Sequence, residues 1–312
     1  MHILGIEIDG AQVKTGKVDE DGRILSCRVL KTPASLDALV TALHYIVAMG
    51  DVPSAIGIAC NGVIDSRTTR VQALPGPLHY LEGESLADLL RPALRREVPI
   101  HADGHTRAVM AGEAQWGAAR GCSNALMLTL GTDVGGAIIA GGRLLHGDAG
   151  MAGSFGHITV DPSGAPCTCG SRGCLETMVS SGAIEAEAFA AVRRGCGSLL
   201  TDWFHPKPKE ITCLAVFEAA AGGDHLAGSI VGRAAGALSS AIATLLLVFD
   251  SEVVILGGPL AVAGAAFFEP VRAKVHSLTA PMLGREVRIV PRQVRDNPGI
   301  VGAAALVLRA VE

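Results

Sequence analysis

Apolar positions along this chain fall into two alternating rhythms. Ile3–Ile8 predicts a buried strand, and Val13–Val18 and Arg23–Leu30 predict two more, with Asp21-Gly22 as the turn between them. Over Ser35–Met49 the spacing becomes helical: Leu36, Leu39, Val40, Leu43, Ile46 and Val47 share a face, and Ser35 can cap the start. Ala55–Ala59 and Val98–His101 predict strands, and Leu86–Leu94 and Thr106–Gly117 predict helices.

The pattern then restarts. Ala125–Leu130 and Gly135–Ala140 predict strands, and Arg143-Leu144-Leu145 follows the Gly141-Gly142 turn. Leu4–Ala11 resembles Leu126–Thr132, and Asp21–Leu25 resembles Gly141–Leu145, at an offset of about 120 residues. Such a repeat suggests two related lobes with a ligand between them. The rest is mostly helical: Ser180–Arg194, Cys213–Ala221, Leu226–Phe249, Phe267–Leu278 and Gly299–Arg309, with strands at Val253–Leu256 and Val287–Val290 and a Trp/Pro-rich loop at Asp202–Lys209.

With 312 residues the chain can bury a large core divided into two lobes. Hydrophobic residues make up 49% but aromatics only 4%, so the core is aliphatic, as suits helices laid on buried strands. The net charge of −4, with no basic block, argues against a nucleic-acid partner. The apolar run Ala243–Phe249, interrupted by Thr244, is far too short to span a bilayer, so no membrane partner is expected. The first strand begins at once, without a basic-then-apolar leader, and a cytoplasmic location is expected.

Of the eight cysteines, Cys27, Cys60, Cys122, Cys196 and Cys213 are scattered and read as plain thiols. The other three, Cys167, Cys169 and Cys174, cluster in Cys-Thr-Cys-Gly-Ser-Arg-Gly-Cys-Leu-Glu, ten residues after Gly156-His157. Three thiols and an imidazole can close a tetrahedral structural Zn²⁺ site. A disulfide with one thiol left over is the alternative, but the spacing is unlike a secreted scaffold. Glu176 lies two residues past the last thiol, so a metal at His157, Cys167, Cys169 and Cys174 would fix where its carboxylate points. Those four ligands would leave no open position for water, which disfavours a zinc hydrolase.

The cysteine motif, the Gly-His before it, Gly131-Thr132-Asp133-Val134-Gly135-Gly136 and the Gly257-Gly258 turn together resemble the ROK family (repressors, open reading frames and sugar kinases) over the whole chain. The resemblance implies an α/β, two-lobed actin-like ATPase (ribonuclease H-like) fold with duplicated lobes. The division expected is a small lobe over 1–117, completed by a C-terminal helix over about 299–312, and a larger lobe over 118–298 carrying the zinc motif. Repressor members carry an additional N-terminal helix-turn-helix; here the first strand starts at residue 3. The family also implies a homodimer.

The implied chemistry is ATP-dependent phosphoryl transfer to a hexose or N-acyl hexosamine hydroxyl, with Mg²⁺ accompanying ATP. Asp103 matches the family's proton-accepting aspartate; on local sequence alone it could equally cap the helix starting near Thr106. Gly131, Thr132 and Gly135 match the second phosphate loop, though a glycine-rich hairpin would read the same way. Gly257 and Gly258 match the adenosine-side turn. His157 and Glu176 are implied as sugar partners, His157 with one ring nitrogen for metal and one for sugar. Glu176 could alternatively be a carboxylate favoured by a helix start.

Several positions depart from the family. The first phosphate loop usually reads Asp-x-Gly-Gly-Thr-Lys; here it is Glu7-Ile8-Asp9-Gly10-Ala11-Gln12. The hydroxyl and lysine are gone, and Asp9 adds negative charge where phosphates would arrive unless Mg²⁺ or a cation offsets it. Lys14, on the same strand face as Gln12, is expected to replace the lysine in part. Asp133 replaces a customary glycine. On the sugar side, Ala73-Leu74, Ala102-Asp103-Gly104-His105 and Gly153-Ser154-Phe155-Gly156-His157 stand for Asn-Leu, Asn-Asp-x-Asn and Gly-Glu-x-Gly-His. Each lost bond to a sugar hydroxyl costs about 0.5–1.5 kcal/mol. Asn61, Gly62, His105 and Ser154 are then the candidate sugar contacts beside His157 and Glu176. The alternative reading is a non-catalytic or substrate-shifted sugar- or nucleotide-binding protein with a degenerate first phosphate loop.

Overall fold

The computed structural model describes residues 2–49, 51–74, 76–260 and 264–309. The last three residues of the expected terminal helix over 299–312 lie outside the described residues. In chain order the first part comprises β1 (Ile3–Ile8), β2 (Gln12–Val18), β3 (Ile24–Lys31), α1 (Leu36–Ala48), β4 (Ala55–Cys60), β5 (Val63–Asp65), β6 (Arg70–Ala73), α2 (Leu86–Leu90), β7 (Ile100–Gly104) and α3 (His105–Trp116). There follow β8 (Ala125–Leu130), β9 (Val134–Ala140), β10 (Arg143–Leu144), α4 (Glu176–Val179), α5 (Ser181–Arg193), α6 (Leu199–Phe204), α7 (Cys213–Ala221), α8 (His225–Phe249), β11 (Val253–Gly257), α9 (Ala265–Leu283), β12 (Arg288–Pro291) and α10 (Pro298–Arg309).

These elements form two compact units. One holds residues 1–122, 143–152 and 292–312; the other holds 123–142 and 153–291. The expected division placed all of 118–298 in one lobe, whereas 143–152 packs within the first unit.

In the first unit the sheet order is β3-β2-β1-β4-β7. β1 is antiparallel to β2 and parallel to β4, and β4 is parallel to β7. β1 and β4 are buried along their whole length, which accounts for their continuous apolar runs. Gly5 and Gly57 are register partners, and a Cβ on either would collide with α10 at the carbonyls of Ile300 and Ala303. Two adjacent strands that each lack a side chain at this one register position make the trough in which the C-terminal helix lies. α1 is capped by Ser35, whose hydroxyl accepts from the Ala38 N–H, and turns Leu39, Leu43 and Val47 inward.

The second unit repeats this logic. β8 is antiparallel to β9 and parallel to β11, which is parallel to β12. The order β9-β8-β11-β12 therefore matches β2-β1-β4-β7. α8 is 25 residues, long and apolar enough to cross a membrane by length and composition alone. Its face Ala227, Ile230, Ala234, Leu238, Ala241, Ile242 and Leu245 is buried in this unit's core, as the 3.6-residue period requires.

Most differences from the expected elements have a local cause. β7 spans Ile100–Gly104 rather than Val98–His101, so Asp103 ends a strand instead of following one. The helix begun at Leu86 tightens to a 3₁₀ turn at Arg91–Ala93, where Pro92 has no N–H to continue it. The β5–β6 hairpin was not expected; its strands are too short for a periodic signal.

Candidate active site

The parallel strands β1, β4 and β7 end in register, with Ile8 beside Cys60 and Cys60 beside Gly104. The carboxyl ends of such strands are where open α/β sheets bind ligands. Here they carry Asp9-Gly10-Ala11, Asn61-Gly62 and Asp103-Gly104-His105. Asn61 is tied to β1 by its N–H to the Ile8 carbonyl, 3.2 Å. The Gly62 carbonyl lies against Gly104, where a Cβ would meet it at 3.2 Å. The first unit thus brings together its expected residues Gly10, Ala11, Gln12, Lys14, Asn61, Gly62, Asp103 and His105.

The first loop satisfies its own backbone. Asp9 Oδ1 accepts from the N–H groups of Ala11 and Gln12, both at 2.7 Å. Those amides would be the natural anion cradle of a phosphate loop, and a carboxylate of the chain already sits on them. Beneath the loop, Glu7 Oε2 faces Lys14 Nζ at 3.4 Å and Oε1 faces His105 Nε2 at 3.1 Å. Burial pushes the Glu7 carboxyl upward, but the hydrogen bond and charge of His105, joined by Lys14, outweigh it and hold Glu7 below the usual carboxylate range. Lys14 and His105, read from sequence as phosphate and sugar contacts, share this anchor.

Asp103 is buried, with only 2% of its side chain exposed. Its Oδ1 accepts from Gly104 N–H at 2.7 Å and Arg107 Nε at 2.6 Å, and its Oδ2 from His146 Nε2 at 2.8 Å. Arg107 stands one helical turn on, at i+4, itself buried. Its Nη1 donates to the carbonyls of Gly150 and Ala152 at 2.9 and 3.5 Å, and its Nη2 to that of Ile64 at 3.4 Å. Asp103 does not cap α3: Gly104 occupies that position. Sequence reasoning missed Arg107 and His146. The i+4 spacing of Asp103 and Arg107 at a helix start was a usable signal; nothing in the sequence pointed to a histidine 43 residues away.

In the second unit, Thr132 and Asp133 are exposed at the tip between β8 and β9. The base of this loop is held by Glu176, whose Oε2 accepts from Val134 N–H at 2.9 Å. Gly131 donates its N–H to the Asp133 carbonyl at 3.0 Å and accepts from Ser181 N–H at 2.8 Å. Gly135 continues into β9, and Ser154 precedes a 3₁₀ turn over Phe155–His157. Gly257 ends β11. Gly258 has φ +84° and lies against the Leu130 backbone, so the absence of a side chain there already has a packing cause.

His157, Cys167, Cys169 and Cys174 present donor atoms that all lie within 4.8 Å of one another. Backbone pairing of Thr159 with Cys174 and of Pro166 with Arg172 folds the segment back on itself. Cys167 Sγ is 3.6 Å from His157 Nδ1, and Cys169 Sγ is 3.6 Å from Cys174 Sγ. A tetrahedron with zinc–ligand bonds of about 2.0–2.3 Å has edges of roughly 3.5–3.8 Å. The donor set therefore fits zinc, with Nδ1 as the histidine ligand and Nε2 directed elsewhere. The Cys169 amide and neighbouring donors pull the Cys167 thiol down to about 6 despite burial, while burial pushes Cys174 up to about 12.

Comparison with known proteins fits this geometry. The ROK family model matches residues 3–310. The chain belongs to the ROK family. This ROK protein is 31% identical over 312 residues to the glucokinase of Thermotoga maritima, covering 98% of this chain and 97% of that protein. It is 31% identical over 304 residues to the N-acetylmannosamine kinase of Yersinia pestis (strain Pestoides F), covering 96% of each. Among solved structures, a ROK hexokinase from Thermus thermophilus superposes with TM-score 0.84 at 27% identity over 100% of this chain and 99% of that one. A ROK family glucokinase from Streptomyces griseus, in complex with glucose and AMPPNP, superposes with TM-score 0.80 at 30% identity over 98% and 99%.

Two outcomes follow from the geometry. Cys169→Ser lowers the zinc content of the purified chain and its Tm by ~5–10 °C, a loss of about 2–3 kcal/mol, measured by elemental analysis and calorimetry. Arg107→Met strands the Asp103 carboxylate and costs about 3–5 kcal/mol in urea denaturation. Combining it with Asp103→Asn recovers part of that loss; strict additivity of the two substitutions would contradict the buried pair.

Proposed function

We propose that this ROK protein transfers the γ-phosphate of ATP to a hydroxyl of a hexose or N-acyl hexosamine. The observation carrying this reading is Asp103: a buried carboxylate at the carboxyl end of a parallel strand, in a chain that matches sugar kinases from end to end. In the reaction the sugar oxygen attacks the γ-phosphorus in line with the departing ADP oxygen. The hydroxyl loses its proton to the group centred on Asp103, which supplies the negative charge that favours proton acceptance. Asn61, Gly62 and His105, at the neighbouring strand ends, are proposed as sugar contacts. Ser154, His157 and Glu176 are proposed as a second set, positioned by the zinc loop. Gly131, Thr132, Gly135, Gly257 and Gly258 would take the nucleotide. Mg²⁺ arriving with ATP would offset the phosphate charge that acidic loop residues such as Asp9 and Asp133 repel. Zinc at the four-donor cluster is structural, holding the segment that ends in Glu176.

A second reading is favoured by the first loop. Because Asp9 Oδ1 occupies the Ala11 and Gln12 amides, a triphosphate meets a carboxylate where its own oxygens would bind. On that reading the chain binds sugar or nucleotide and turns over slowly or not at all.

ADP release measured with glucose, fructose, mannose, allose, N-acetylglucosamine and N-acetylmannosamine is expected to exceed background for at least one sugar. Asp103→Asn is expected to cut it by 10²-fold or more without loss of zinc; silence across the panel alongside calorimetric sugar binding would favour the second reading. Asp9→Gly frees two amides and removes a negative charge. It should tighten binding of a non-hydrolysable ATP analogue by ~10-fold in calorimetry, whereas unchanged or weaker affinity would mean that Asp9 does not obstruct the phosphates.

A further inference from the structure

The four-donor cluster contains a thiol pair of unequal freedom. Cys169 is exposed and Cys174 is buried, and their Sγ atoms stand 3.6 Å apart. The intervening residues include Gly170 at φ +90° and Gly173 at φ +60°. Gly173 is clamped. Its N–H donates to the Ala165 carbonyl at 2.7 Å, its carbonyl accepts from Val160 N–H at 2.8 Å, and a Cβ there would overlap the Asp161 carbonyl. Cys174 itself pairs with Thr159. By contrast, a Cβ on Gly170 would meet nothing within 4 Å. The chain therefore fixes the inner sulfur and gives the outer one room to approach it. A disulfide needs the sulfurs to close to about 2.05 Å, a movement within reach of an exposed turn carrying a glycine beside Cys169.

We propose that Cys169 and Cys174 are a redox modification site: a hydroperoxide joins them, and the cluster then gives up its metal. The inference rests on structural zinc at this cluster and not on turnover. The Cys169 thiolate attacks the terminal oxygen of the hydroperoxide, the O–O bond breaks, and the alkoxide takes a proton to leave as an alcohol. Cys169 is then a sulfenic acid. The Cys174 thiolate attacks its sulfur, the S–O bond breaks, and hydroxide takes a second proton to leave as water. Two thiolates, one hydroperoxide and two protons thus give one disulfide, one alcohol and one water. The sulfurs lose two electrons and the peroxide oxygens gain them. Once joined, the two sulfurs are no longer thiolate ligands. His157 Nδ1 and Cys167 Sγ, 3.6 Å apart, are then half of the set that a closed zinc site requires. The imidazole of His157, proposed as a sugar contact, loses the shared ion that orients it.

The test takes the full chain, purified under a thiol reductant and then freed of it, with its zinc content measured first. Hydrogen peroxide is the probe. Expected is release of about one zinc per chain to a chromogenic chelator. A disulfide between Cys169 and Cys174 is expected with it, placed by fragmentation of the tryptic peptides that part at Arg172. Amide hydrogen exchange across 157–172 should speed up by ~10-fold or more. Thiol reductant with added zinc should reverse all three readings. Zinc retained after oxidation would overturn the proposal, as would release with these sulfurs oxidised to sulfinic acid or bonded elsewhere. A reduced parent chain that carries no zinc would overturn the structural-metal reading, and the discharge with it, while leaving the kinase reading standing.

Discussion

The first unit's site depends on one buried guanidinium. Arg107 lies almost wholly out of water, where an ion costs several kcal/mol to place unless its donors are satisfied. Its donors meet one carboxylate and three backbone carbonyls, drawn from β7, from the middle of β5 and from the segment at 150–152. No neutral side chain could do this, because only a forked cation reaches that many acceptors at once. The arrangement therefore specifies where Asp103 points as well as compensating its charge. It also ties down the backbone at Gly150 and Ala152, a few residues beyond His146.

The same accounting of donors separates the two glycine-rich loops. In each, backbone N–H groups gather at the turn between the first two antiparallel strands of a sheet. In the first loop the chain supplies its own anion, since Asp9 bonds two amides from two and three residues away. In the second loop the carboxylate comes from Glu176, 42 residues on, and takes only the Val134 amide at the base. Thr132 and Asp133 stay exposed at the tip. An incoming phosphate would compete with a local, entropically cheap capping contact at one loop and leave the tethering contact of the other intact. That asymmetry sets the two loops apart as anion sites: the first already holds a carboxylate on its own amides, and the second does not.

Much of this was legible from residues alone, and the reasons are physical. β1, β8 and α7 have runs long and regular enough to define their ends, and Ser35 marked the start of α1 by the cap its hydroxyl makes. The donor cluster was legible because three thiols and an imidazole within 157–174 have few other uses. Relations across distance were not legible. The segment 143–152 returns to the first unit through the carbonyl contacts of Arg107, which no periodicity encodes. Asp103 was legible as a carboxylate after a strand, but its burial and its partners Arg107 and His146 were not. Asp9 was recognised as a charge; that it turns back on its own amides is a property of the turn's geometry.

Glu176 links the four-donor cluster to the base of the β8–β9 turn. Cys174 is held near His157 by backbone pairing of the flanking segments, and Glu176 follows it at the first turn of α4. One carboxylate oxygen is committed to Val134, and a Cβ on Gly156 would come within 3.2 Å of it, so the carboxylate has little room to swing. A sugar contact through this residue would use the other oxygen. A charged hydrogen bond to a backbone amide contributes about 1.5–3 kcal/mol, so any change in the zinc loop that shifts Glu176 disturbs the base of the β8–β9 turn as well. An ion held by the four donors would therefore act on the base of the β8–β9 turn through Glu176 without touching that loop itself.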